Sequence, residues 1–318
     1  MAKLEVWTEK YRPESLDEVV NQKHVVGRLK SWVKEGSIPN MLFAGSAGVG
    51  KTTVALCLAR ELFGKNWHHN FQETNASDER GINVVRGRIK DFAKMKPLGA
   101  DFKIIFLDES DALTPEAQQA LRRTMEKFSD VCRFILSCNY SSRIIDPIQS
   151  RTAVFRFKSL GEEDVLSYLE RIVKGEKIPA EKDGLKAIFE ISGGDLRKST
   201  NILQSTVAAG KVTRENVYDS AAQAKPKDVK DMLDMALKGN FTSARDKLYQ
   251  LLLHQGLSGE DIIKEIHRQI FELPVPEEVK LELIEKTGEF EFRLNQGGTE
   301  EIQLEALLAQ FLKSKNKK

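Results

Sequence analysis

Residues Gly45-Ser46-Ala47-Gly48-Val49-Gly50-Lys51-Thr52 constrain this chain more than any other stretch. Their spacing is that of a phosphate-binding loop, with Lys and Thr directly after the last glycine. Such a loop needs a strand before it and a helix after it. The glycines let successive N–H groups curl toward a polyphosphate, and the helix adds the positive end of its dipole. Met41–Ala44 reads as the strand and Thr52–Phe63 as the helix. Lys51 is placed to reach β- and γ-phosphates, and the Thr52 hydroxyl to sit on Mg²⁺. Further along, Lys103-Ile104-Ile105-Phe106-Leu107-Asp108-Glu109-Ser110-Asp111 reads as a buried strand ending in carboxylates. Asp108 suits the metal's outer coordination, and Glu109 is placed to polarise an attacking water. The pair of motifs implies binding and hydrolysis of a nucleoside triphosphate.

The surrounding pattern predicts an α/β domain over 1–160, a parallel sheet covered by helices on both faces. Strands are expected at Met41–Ala44, Phe71–Asn75, Ile104–Asp108, Val131–Cys138 and Ala153–Phe157, with helices at Thr52–Phe63, Asn83–Met95 and Pro115–Phe128. Thr114-Pro115 is a helix start, Thr capping and Pro at the first helical position. From Gly161 the strands disappear. Short helices at Glu162–Lys174, Ala180–Ser192, Leu196–Ala209 and Arg214–Ala221 suggest a small helical domain over 161–224. Beyond the linker Ala224-Lys225-Pro226-Lys227, an all-helical domain is expected over 225–318, with helices at Val229–Leu237, Thr242–Gln255, Gly259–Phe271, Glu277–Leu294 and Glu300–Lys313.

Composition excludes more than it selects. A net charge of +2 is too small to argue for nucleic acid by itself. No apolar run approaches the ~20 residues that span a bilayer, so no membrane partner is expected. The start Met1-Ala2-Lys3-Leu4-Glu5 lacks a signal-peptide stretch, and an intracellular place, cytoplasmic or beside the nucleoid, is expected. Cys57, Cys132 and Cys138 form no metal or disulfide pattern and read as buried free thiols. The basic end Lys313–Lys318 reads as a frayed tail.

Four further pieces narrow the class. The strand Val131–Cys138 ends in Asn139 beside the Asp108–Glu109 strand end, where an amide can bond a γ-phosphate or the lytic water; a turn asparagine is the plain alternative. Arg151, at the rim after Asp146-Pro147, has no obvious partner in its own site and could enter a neighbour's. Gly193-Gly194-Asp195-Leu196-Arg197 puts an arginine at a helix start in the second domain. Trp7-Thr8-Glu9-Lys10-Tyr11-Arg12-Pro13, followed by Leu16–Val20, supplies an N-terminal strap that could hold a base.

With Asn75-Ala76-Ser77-Asp78-Glu79-Arg80-Gly81-Ile82, Ser137-Cys138-Asn139-Tyr140 and Ile145–Arg151, these stretches resemble the AAA+ ATPases. Within them the chain is similar to the clamp-loader branch, the archaeal-type small subunits of replication factor C. The resemblance covers nearly the whole chain and is weakest after residue 225. It implies a P-loop AAA+ core, a helical lid and an all-α C-terminal collar for oligomerisation. By resemblance, ATP with Mg²⁺ is held by Gly45, Ser46, Ala47, Gly48, Val49, Gly50, Lys51, Thr52 and Thr53, with Thr52 and Asp108 on the metal. Glu109 is then catalytic, Asn139 the first sensor and Arg197 the second, both touching nucleotide. Arg151 becomes a finger acting on the adjacent subunit's ATP, and Thr8, Arg12, Val19 and Val20 form the adenine pocket. Ser110 stands where the family has Ala, and Thr152 where it has Cys.

The helix expected at Asn83–Met95 carries an apolar stripe, Val85, Ile89, Phe92 and Ala93, and a separate basic face of Arg86, Lys90 and Lys94. Arg80 precedes it, and Arg122, Arg123 and Lys127 ride on the next helix. Such charges alone fit a solvated face. The resemblance instead implies that Arg80, Arg86 and Lys90 track duplex phosphates. It also implies as partners the replication factor C large subunit, other copies of the small subunit, the sliding clamp (PCNA) and primer–template DNA. The function implied is ATP-dependent loading of the clamp onto primed DNA: ATP binding drives assembly on clamp and DNA, and hydrolysis drives release. The alternative is a translocating AAA+ enzyme such as a branch-migration helicase or unfoldase, but no aromatic pore-loop segment stands out between Asn75 and Asp101. A small-molecule phosphotransferase would leave Arg151 and the helical C-terminal third unused.

Overall fold

The structure is a computed structural model that describes residues 6–77 and 81–314, apart from the side chains of Val84 and Arg86. The chain forms two compact units, residues 1–178 with 192–204, and 179–191 with 205–318.

In the first unit, five strands form one sheet among the described residues: β1 (Met41–Ala44), β2 (Phe71–Asn75), β3 (Lys103–Asp108), β4 (Cys132–Cys138) and β5 (Ala153–Arg156). Their order is β2-β3-β4-β1-β5, and every pairing is parallel. A parallel sheet is covered on both faces, which is why β1 and β4 are apolar nearly throughout rather than alternating. Met41, Phe43, Ile104, Phe106 and Ile135 join one core with α1 (Lys23–Glu35) and α2 (Lys51–Phe63). Leu42, Ala44, Ile105, Leu107 and Leu136 join the other with α3 (Pro115–Lys127) and the segment 82–94. Thr114 caps α3 as its sequence predicts, its hydroxyl accepting the Ala117 N–H at 3.3 Å. Helix α1 is not among the elements expected from sequence, yet it carries a regular apolar stripe: Val25 and Leu29 are buried, and Val26, Trp32 and Val33 pack beside them at helical spacing.

The helix expected at Asn83–Met95 is broken. A turn at Ile82–Val84 opens into a π-helical turn at Val85–Ile89 and closes as a short helix at Lys90–Lys94. Val85, Ile89 and Ala93 are fully buried. The widened turn, with Gly87 inside it, shifts positions beyond Ile89 off the 100°-per-residue wheel. Backbone positions 86, 90 and 94 therefore do not follow one straight helical row.

Helix α4 (Glu162–Glu176) and residues 192–204, which open α6 (Leu196–Ala209), group with the sheet. The strap is fastened to them: Tyr11 Oη donates to Glu176 at 2.7 Å, Lys10 pairs with Glu176 at 2.9 Å, and the Trp7 N–H donates to Gln204 at 3.1 Å.

The second unit contains α5 (Lys182–Ser192), α7 (Arg214–Ser220), α8 (Pro226–Lys238), α9 (Phe241–Tyr249), α10 (Gly259–Ile270), α11 (Glu277–Asn295) and α12 (Glu300–Ser314). Residues of segment 161–224 fall in both units. Met232, Leu233, Leu248, Ile262, Ile266, Leu307 and Phe311 form the centre of the core of α8–α12. The helix expected at Thr242–Gln255 ends in a π turn at Gln250–His254. Among the described residues, no helix is long and apolar enough to cross a membrane.

Candidate nucleotide site

The loop Gly45–Gly50 leaves the C-terminal end of β1 and turns directly into α2. At Gly45 a Cβ would stand 2.7 Å from the Phe157 carbonyl oxygen, so the loop can pass this point only without a side chain. Gly48 has φ +67°, and a Cβ there would lie 1.9 Å from the Asp195 carboxylate. The Gly48 carbonyl accepts the Leu196 N–H at 3.2 Å. The loop backbone is thereby docked on the start of α6, the helix that carries Arg197.

Lys51 is only 8% exposed. Its three ammonium donors meet three acceptors: the carbonyls of Gly45 and Ser46 at 2.8 Å each, and Asn139 Oδ1 at 3.2 Å. Burial pulls its pKa below the usual lysine value, and the Asp108 charge opposes that shift. Thr52 Oγ1 donates to Asp108 Oδ2 at 2.9 Å. These neighbouring oxygens are the hard donors that Mg²⁺ takes, so the residues fit that ion. Asp108 Oδ1 accepts the Glu109 N–H at 2.9 Å, and Glu109 itself has φ +50°, unusual for a residue with a side chain.

The same pocket is lined by Thr8, Arg12, Val19 and Val20 from the N-terminal segment, by Ala47–Thr53, and by Asp108, Glu109, Asn139 and Arg197. The structure thus brings together every residue assigned from sequence to nucleotide, with Gly45 and Ser46 entering through their bonds to Lys51. Arg12 also pairs with Glu9. Arg197 is exposed, and its side chain makes no hydrogen bond or ion pair among the described residues. Pro13 and Leu196, from stretches the sequence singles out, line the pocket too, as do Tyr168 and Thr200, which sequence reasoning misses. Tyr168 shares its helix stripe with Val165, Leu169 and Ile172, so its spacing signals core alone.

Arg151 lies outside this lining. Its Nε pairs with Glu126 at 2.8 Å and its Nη1 donates to the Pro147 carbonyl at 2.8 Å. The two departures from the family pattern are locally satisfied. Ser110 Oγ donates to the Leu107 carbonyl at 2.7 Å, and Thr152 Oγ1 to that of Gln149 at 3.0 Å. Of the basic residues, Arg80 and the Arg86 side chain lie outside the described residues. Lys90 lines a groove with Arg123 and Lys127 of α3, joining charges that the sequence places on separate helices.

Fold and site together define a P-loop ATPase of the AAA class: residues 41–160 match the family model "ATPase family associated with various cellular activities (AAA)". Residues 224–310 match the replication factor C C-terminal domain. Replication factor C small subunits from Methanococcus vannielii and Methanocella arvoryzae are 54% and 53% identical, covering 95% and 98% of this chain and 97% of each relative. That of Sulfolobus acidocaldarius is 52% identical over 96% of this chain and 94% of its own. The chain belongs to the replication factor C small-subunit family, the clamp-loader branch. Among solved structures, the Thermotoga maritima RuvB Holliday junction branch migration motor superposes with a TM-score of 0.56 at 18% identity, covering 78% of this chain and 86% of that one. A point mutant of RuvB superposes with a TM-score of 0.57 at 17% identity, covering 81% and 92%. At such identity the likeness concerns the fold alone.

Proposed function

We propose that this chain is an ATP-driven clamp-loader subunit. It works inside the cell in a ring with further small subunits and a replication factor C large subunit. ATP binding orders the ring on the sliding clamp (PCNA) and primer–template DNA, and hydrolysis releases both. The observation that carries this reading is the Lys51–Asn139 and Thr52–Asp108 cluster at the loop between β1 and α2, in a chain of this family. The division of the chain into core over 1–160, lid over 161–224 and collar over 225–318 is part of the proposal. A branch-migration motor is not favoured, because the RuvB likeness carries no argument beyond fold. The test is ATP turnover of the assembled complex with primed DNA plus clamp, with either alone, and with neither. Strongest stimulation by the pair is expected, and no stimulation would sink the reading.

In the proposed mechanism the loop amides and Lys51 bind the phosphates, while Thr8, Arg12, Val19 and Val20 enclose the base. Thr52 and Asp108 would hold Mg²⁺, which when bound supplies charge neutralisation at the phosphates. Glu109 orients the attacking water and draws on its proton. Asn139 fixes that water or the γ-phosphate from the neighbouring strand end. Arg197 adds positive charge from the start of α6, and Arg151 reaches the neighbouring subunit's ATP, so hydrolysis awaits assembly. Arg80, Arg86 and Lys90, joined by Arg123 and Lys127, hold duplex phosphates without reading sequence.

A further inference from the structure

Asp111 has no part in the proposed mechanism, yet it is tied to it. It lies in the short 3₁₀ turn Ser110–Ala112, directly beyond Glu109. Its Oδ2 accepts the backbone N–H groups of both Asn139 and Tyr140, at 3.2 Å each. These amides lie just past the end of β4, whose ladder with β3 stops at Leu107 opposite Leu136. Donors leaving a sheet need another acceptor, and a carboxylate bonds them about twice as strongly as a neutral one.

The acceptor's place in the chain matters. The turn bearing it is already fixed by the Asp108–Glu109 N–H bond and the Ser110–Leu107 bond. Asp111 adds the tie across to β4. The strand end carrying Asn139 is thus clamped to the turn carrying Glu109. Asn139 Oδ1 in turn accepts from Lys51, so a shift of residue 139's backbone would swing its amide away from the phosphate site.

We propose that Asp111 is a positioning residue for ATP hydrolysis: it holds the Asn139 amide in register with Glu109 by clamping the end of β4 to the carboxylate turn. The inference rests on the reading of Asn139 as a group that acts on the γ-phosphate or the lytic water.

The test compares Asp111→Ala, Asp111→Asn, Asn139→Ala and the Asp111→Ala/Asn139→Ala double variant, each as full chain assembled with its partner subunits. Asp111→Ala should keep ATP affinity within about twofold and lower turnover on the order of tenfold to a hundredfold, the scale of a small misplacement of a reacting group. Asp111→Asn, which keeps one acceptor oxygen, should recover part of that loss. The double variant should turn over no more slowly than Asn139→Ala alone. In Asp111→Asn and Asp111→Ala, hydrogen exchange at the 139 and 140 amides should speed up in that order. Multiplying losses in the double variant, unchanged exchange, or normal turnover in Asp111→Ala beside a slow Asn139→Ala would each overturn the positioning role. Normal turnover in Asn139→Ala would remove the underlying reading of Asn139 and this inference with it.

Discussion

Lys51 and Glu109 stand at the same pocket but differ in what surrounds them. Lys51 is buried among acceptors that match its donors, a cationic point suited to ground-state phosphates. Glu109 is exposed, on a left-handed backbone, where it can meet a water. Lys51→Ala is expected to abolish most ATP binding, whereas Glu109→Gln should bind normally and stop turnover. Affinity and turnover measured on both variants check this, and wild-type turnover in the glutamine variant would refute the role given to Glu109. Gly48→Ala should also weaken ATP binding, although it removes no ligand. Its φ of +67° costs an alanine about 1–2 kcal/mol, and the new Cβ would strike Asp195. The readout is the thermal shift that ATP produces in wild type, which should shrink or vanish in Gly48→Ala.

At the scale of elements, the sequence carries the parts whose chemistry is local. The glycine spacing marks the loop, Thr114-Pro115 marks the start of α3, and apolar runs mark β1, β3 and β4. What it does not carry depends on tertiary packing. The π turn at Val85–Ile89 breaks the 3.6 period, and Tyr168 looks like core because it is core on one side, whereas the stripe of α1 at Val25, Val26, Leu29, Trp32 and Val33 is legible although no motif marks it. The groove that joins Lys90 to Arg123 and Lys127 belongs to this second group, since nothing in the spacing says the two segments meet. If that groove holds DNA, Lys90→Ala/Arg123→Ala should weaken duplex binding equally for all sequences. The slope of log affinity against log salt should fall by ~0.9 for each phosphate no longer neutralised. A salt series on wild-type and variant complexes gives the answer, and an unchanged slope in a folded variant would count against the groove.

For the whole molecule, the separation of Arg151 from its own nucleotide pocket means that a lone chain should be a poor ATPase. Mixing Arg151→Ala chains with Lys51→Ala chains should restore part of the turnover, because some interfaces then pair an intact arginine with an intact loop. The gain from one arginine in related phosphoryl transfer is ~10³-fold or more. Mixtures that assemble yet never exceed either parent would exclude action across the interface. The thiols report on the integrity of the first unit. Burial pushes Cys57, Cys132 and Cys138 each up to about 12, so none should react with a thiol reagent at pH 8 until the chain is denatured. Their folded pKa lies above the unfolded value of about 8.5. The stability they contribute is therefore complete below that pH and drains away as pH rises toward about 12.

The loop at Gly48 rests on Asp195 and the Leu196 N–H, so the contour of one is cut to the other. Chimaeras built from two members of this family should therefore inherit residues 45–52 and 193–197 from the same parent. A seam drawn between them would mismatch a joint that no motif search would flag, even with every catalytic residue retained.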